Sequence, residues 1–167
     1  LYKKDWEDDE TYPYFRLRVS HLLDNYCTNS TNLKCFIGLA GEPGQTGRRE
    51  SGHAYISQML QTKMVVVTQR DGWEDHYRLM EALVSGALVL TDQMWSHPQG
   101  YKDGQSLVLF RSANELLQKL NYYLQHPSER IAIAKAGRKL ALEQHRSWHR
   151  MEQIVFGRVL TTPELSN

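Results

Sequence analysis

The sequence lacks any long apolar run. Its continuous apolar stretches are short, such as Met64–Val67 and Ala87–Leu90, and a membrane-spanning helix needs about 18 apolar residues. No membrane segment is therefore expected within this chain. An excess of charge of one sign is also missing. Twenty Lys and Arg against nineteen Asp and Glu leave a net charge of +1, so bulk charge argues against a nucleic-acid partner. Cysteine is scarce. Cys27 and Cys35 cannot build a disulfide framework; they can form one bridge, but we read them as two reduced core thiols. Metal-ligand spacing is absent around His21, Cys27 and Cys35, and the remaining histidines are scattered, so no metal is expected. Internal repeats and low-complexity tracts are missing too. The chain begins Leu-Tyr-Lys-Lys, with neither an initiator Met nor a charged-then-apolar leader. We expect a piece of a longer protein, with its compartment open between cytoplasm and Golgi lumen. Asn29-Ser30-Thr31 is a glycosylation sequon, meaningful only in a secreted setting.

What is present is a globular balance: 167 residues, 41% hydrophobic and 23% charged. That excludes a disordered chain, a coiled coil or a collagen, and the length suits one domain. Residues 1–12 read as an acidic linker or arm, where Lys3 and Lys4 face five acidic residues for a net of −3. Residues 13–160 read as the domain, and 161–167 as a tail.

From Pro13 the pattern is helical, with Phe15, Val19, Leu22, Leu23 and Tyr26 on one face. Lys34–Ala40 reads as a short buried strand, 41–51 as a Gly-rich loop, and Gly52–Gln61 as a helix. Met64–Thr68 is a β-branched strand. A helix is expected from about Asp75 to Ser85, closed by Gly86 as a C-cap glycine. Strands follow at Ala87–Thr91 and Ser106–Phe110. Ser112 with Glu115 forms a capping box, and Leu116, Leu117, Leu120 and Leu124 mark that helix's face. Pro127 starts a helix to about Gln144, and a last helix spans about Ser147 to Leu160. Short apolar strands alternating with helices predict an α/β fold, a three-layer Rossmann-like parallel sheet with helices on both faces and C-terminal helices beyond. In such sheets ligands bind beyond the carboxyl ends of the strands. The loops of interest are therefore 41–51, 69–75, 92–104 and 111–112.

Two constellations could carry chemistry there. Gly41, Gly44 and Gly47 lie between a strand and a helix, a setting that favours an anion. The spacing is wrong for a Walker loop, because five residues separate Gly41 from Gly47 and Arg48-Arg49 stand where Lys-Ser/Thr is required. A triphosphate hydrolase is thus disfavoured, while Arg48 and Arg49 on that loop remain candidates for a phosphate, against a solvated turn. The second constellation is Arg78 with Glu81, three apart and on one face of the expected helix. A carboxylate there can accept from a ribose diol, and an arginine can bind a diphosphate beside the positive helix end. By spacing alone the pair reads as an ordinary surface salt bridge. Asp92, Trp95, His97 and Tyr101 follow the third strand, where any can meet a base or a sugar or simply fill the loop. Residues 126–150 hold six Lys and Arg against two Glu, a net of +4; we read this as a solvated face or a contact with another domain.

The segment Tyr77-Arg-Leu-Met-Glu-Ala-Leu-Val-Ser-Gly-Ala-Leu-Val-Leu-Thr-Asp92 resembles the donor-site helix and strand of GT-B glycosyltransferases. The likeness is to the group 1-like C-terminal domain of the bacterial spore-maturation type, and exostosin-like transferases share a similar run. It continues through Asp103-Gly104, Leu107-Val-Leu-Phe110, Asn114-Glu-Leu-Leu117, Tyr123-Leu124, His126-Pro-Ser-Glu-Arg130, Ile133-Ala134, Ala136-Gly137 and His145, and covers roughly 53–156. The resemblance implies a nucleotide-diphospho-sugar as co-substrate, with no bound metal or other cofactor. It implies that Arg78 steadies the leaving diphosphate and that Glu81, the second glutamate of the family's Glu-x7-Glu motif, holds the ribose. The first glutamate should fall at position 73, which is Trp73, with Glu74 and Asp75 nearby. Arg48, Arg49, Asp71, Gly72, Glu74, Tyr77 and Asp92 are the further candidates for donor and nucleotide binding. The acceptor is not identified, and an N-terminal GT-B domain is the expected partner within the full chain. A degenerate transferase fold that binds a nucleotide or a protein without catalysis is the alternative.

Overall fold

The structure is a computed structural model that describes residues 12–37, 52–69, 77–94 and 97–157. Helix α1 spans Tyr12–Thr28 and α2 His53–Gln61. Strand β1 (Met64–Val67) leads to α3 (Tyr77–Ser85), then β2 (Leu88–Asp92) and β3 (Val108–Phe110). Helices α4 (Ala113–Gln125), α5 (Pro127–Gln144) and α6 (Ser147–Phe156) complete the order.

The sheet is parallel in the order β1-β2-β3, with Val65 opposite Val89 and Thr91 opposite Leu109. Every residue of β2 and β3 is buried. Alternation sends their apolar side chains to opposite faces. Leu88, Leu90, Val108 and Phe110 meet Val19 of α1 and Leu116, Leu120 and Tyr123 of α4. Val89, Leu107 and Leu109 meet Leu79, Ala82 and Leu83 of α3, with Met59 of α2 beside them. Both faces are covered, as a Rossmann-like three-layer fold requires. Gly137 lets α5 approach closely: a Cβ there would collide with the Ser106 carbonyl and press on Leu83.

The boundaries follow local chemistry. Ser112 Oγ accepts the Glu115 N–H at 3.2 Å, while Glu115 Oε2 accepts the Arg111 N–H at 2.7 Å. The capping box therefore closes one residue earlier than its usual form. Pro127 occupies the first turn of α5, where its missing N–H costs nothing. Gly86 ends α3 at φ +87°, a left-handed conformation that glycine enters cheaply.

Three expectations are corrected. Lys34–Ile37, the described part of the Lys34–Ala40 segment, is not in the sheet, and Phe36 is 67% exposed. Nor are the cysteines reduced core thiols. Cys27 at the end of α1 and Cys35 form a disulfide at the surface, with Cα atoms 6.1 Å apart. The bridge ties Lys34–Ile37 to the end of α1, away from the sheet, so the hydrophobicity of these residues is not a strand signal. The last helix also ends earlier than expected, at Phe156, followed by Gly157 in the left-handed region.

Candidate functional site

Chain direction places the site. Helix α2 runs into β1 through Thr62 and Lys63, and α3 runs into β2 through Gly86 and Ala87. Both helices therefore start near the carboxyl edge of the sheet and descend beside it. Helix α4 starts there too, just after Phe110 at the end of β3. Three helix N-termini converge on one edge, each carrying partial positive charge.

On that edge the side chains interlock. Tyr55, in the first turn of α2, donates its hydroxyl to Glu81 Oε2 of α3 at 2.9 Å. Arg78 lies three residues before Glu81 on the same helix, and both are half-buried. The neighbouring Leu79, Ala82 and Leu83 are buried in the core and anchor α3. Tyr77, at the helix start, is exposed. From α1, Arg16 donates to the Thr68 carbonyl at 3.1 Å, just past the end of β1. Arg111 Nε donates to Gln93 Oε1 at 3.0 Å and links the loops after β3 and β2. The edge thus gathers three arginines, Arg16, Arg78 and Arg111, and the Glu81 carboxylate close to the helix starts.

Asp92 is placed differently from the other candidates. It is fully buried, and its Oδ1 accepts the Gln69 N–H at 2.8 Å. Gln69 is buried as well and donates from Nε2 to Thr91 Oγ1 at 3.2 Å. This polar cluster fastens the ends of β1 and β2 together beneath the edge. Buried polar groups need such partners, so the visible role of Asp92 is to hold the floor of the site. Tyr101 is likewise a core residue, its hydroxyl donating to the Gly137 carbonyl at 3.4 Å. Of the remaining candidates, Arg48, Arg49, Asp71, Gly72 and Glu74 lie outside the described residues, as do Trp73 and Trp95.

Electrostatics sharpen the surroundings. Burial would raise the Glu115 pKa, but the Lys119 ammonium at 2.6 Å and the Arg111 N–H outweigh it and hold the carboxyl below its usual range. Burial lowers the pKa of His97, with Asp103 opposing. Burial also lowers that of His145, against the bond to the Gln99 carbonyl and together with Arg150 and His149. The neutral His145 ring donates from Nε2 to that carbonyl at 2.8 Å and accepts Arg150 Nη2 at Nδ1, 2.6 Å away. This pins the loop after β2 to the end of α5. Among the described residues, no group of three His, Cys, Asp or Glu is arranged to hold a metal ion. No helix among them is long and apolar enough to cross a membrane.

Sequence reasoning missed Tyr55, Arg16 and Gln69. Each makes its contact across 22 to 52 residues of chain, and no local spacing signals such a pairing. Against known proteins, the family model described as glycosyl transferase-like matches residues 27–155. No curated protein matches the chain.

Proposed function

The chain belongs to the glycosyl transferase-like family, and on that premise we propose that it is the donor-binding domain of a GT-B glycosyltransferase. The co-substrate is a nucleotide-diphospho-sugar, whose sugar passes to an acceptor in a glycosidic bond. The observation that carries this reading is the bond from Tyr55 to Glu81 at the carboxyl edge, one helical turn from Arg78. The tyrosine orients Glu81, and a carboxylate, which can accept several hydrogen bonds at once, is the group that receives the hydroxyls of a ribose. Arg78 and the start of α3 face the diphosphate, where negative charge grows as the sugar departs. Preorganised positive groups at that point lower the barrier electrostatically, without a covalent intermediate on this domain. Arg48 or Arg49 would add to the phosphate contacts, and Asp71, Gly72, Glu74 and Tyr77 are the further donor-binding residues of this reading. Asp92 supports the floor from below. The acceptor and the general base come from an N-terminal GT-B domain.

Titration with UDP and GDP tests the reading by calorimetry. Saturable binding of one of them is expected, lost in both Glu81→Ala and Arg78→Ala while the circular dichroism spectrum stays native. Binding that survives both substitutions sinks the proposed site. A second reading rests on Trp73, which stands where the family's first glutamate is expected. In that reading the domain binds a nucleotide or a protein without transferring sugar. Nucleotide binding without donor-sugar hydrolysis or transfer in the complete protein favours it.

A further inference from the structure

The far end of α1 carries a second feature that the transferase reading does not use. Cys27 and Cys35 are joined across the short loop 28–34. Inside that loop stands Asn29-Ser30-Thr31, the chain's one Asn-x-Ser/Thr sequence. Asn29 and Thr31 are both exposed. Backbone bonds shape the turn, from the Ser30 N–H to the Cys27 carbonyl at 3.1 Å and from the Leu33 N–H to the Ser30 carbonyl at 3.4 Å. Ser30 Oγ donates back to the Tyr26 carbonyl at 2.7 Å, which turns the middle residue inward. The side chains of Asn29 and Thr31, the two that an acceptor sequence must present, make no hydrogen bond to the described residues.

Two independent observations converge here. A disulfide between surface cysteines persists in oxidising compartments and is rare where thiol reductants are abundant. An exposed Asn-x-Thr loop is the acceptor for N-linked glycans in the secretory compartment, which is oxidising. We propose that Asn29 is an N-glycosylation site and that the protein matures in an oxidising, glycosylating lumen. In the reaction, Asn29 Nδ2 bonds to the anomeric carbon of an oligosaccharide carried on a lipid diphosphate. The bond from that carbon to the phosphate oxygen breaks, the lipid diphosphate leaves, and the amide proton passes to a base. The position also suits a bulky group. Arg16 reaches the site edge, and Asn29 follows 13 residues later, about 20 Å farther along the helix at 1.5 Å per residue. A glycan there projects away from the donor site.

The test uses the full-length protein made in a eukaryotic secretory host. Treatment with peptide N-glycosidase should shift its mobility by one glycan and leave Asp at position 29 in the released peptide. Asn29→Gln and Thr31→Ala should each abolish the shift, and Thr31→Ser should retain it. Alkylation without reductant should leave Cys27 and Cys35 unlabelled, with both labelled after reduction. A correctly folded protein with an intact Cys27–Cys35 bridge and unmodified Asn29 overturns the site. Full labelling of both cysteines without reductant in the native protein overturns the compartment. Neither result depends on nucleotide binding.

Discussion

Helices α2 and α3 have nine residues each and lie side by side at the candidate site, yet they are held in opposite ways. Helix α3 buries Leu79, Ala82 and Leu83, and its last turn is gripped by α5, where Arg138 Nε donates to the Val84 carbonyl at 3.0 Å. Helix α2 buries no residue fully, and Ile56 and Leu60 are exposed. Among the described residues, Met59 packs against the core and Tyr55 bonds to Glu81. The strands repeat the contrast, since β2 is buried throughout and β1 only at Val67. Segments with few buried apolar contacts open at lower free energy than the core. The site therefore joins a firmly seated carboxylate to an orienting hydroxyl on a lightly seated helix.

Stability breaks or sharpens this contrast most directly. Leu83→Ala, on α3, should cost about 2–5 kcal/mol of unfolding free energy through lost burial and a residual cavity. Leu60→Ala, on α2, should change it by less than about 0.5 kcal/mol. Denaturant titration of both variants checks the pair, and equal losses would erase the distinction. Function gives the next largest effect. Tyr55→Phe removes a bond of about 1.5 kcal/mol to a charged acceptor, so nucleotide binding should weaken by roughly tenfold with the fold intact. An unchanged Kd would mean that α3 orients Glu81 without help from α2.

Acid tests whether the α3 side has its own weak point. His97 and His145 are held below their usual pKa, chiefly by burial, and His145 ties the loop after β2 to α5, on which α3 packs. A histidine kept neutral in the fold takes up a proton more readily when unfolded. Its contribution is present above the unfolded pKa of about 6.5 and is lost as pH falls through that value toward the lower folded one. The melting temperature should fall modestly between pH about 7.5 and about 5.5. His145→Gln, which keeps a donor for the Gln99 carbonyl, should show a shallower fall. The same slope in both proteins would clear His145 of the effect.

Local chemistry was legible in the sequence. The Ser112–Glu115 cap, Pro127 in a first turn and Gly86 at a helix end each depend on contacts within four residues, and sequence order reports those directly. Buried parallel strands were legible because both faces of Leu88–Leu90 and Leu107–Phe110 are apolar. Lys34–Ile37 misled for the same reason: it belongs to an apolar segment, and nothing local reveals that a disulfide at Cys35 holds it at the surface. Arg78 and Glu81 were legible as neighbours, but their setting was not.

By itself, then, the sequence determined the alternation of strands and helices, the caps that bound them and the pairing of Arg78 with Glu81 on one helix. Only the tertiary structure decided that Tyr55 meets Glu81, that Asp92 turns inward to Gln69, that His145 locks a loop and that Cys27 bridges to Cys35. The physical reason is the range of the interaction. Caps and helical faces follow from the backbone's own geometry, whereas contacts between separate elements exist only once burial of a shared core has brought those elements together.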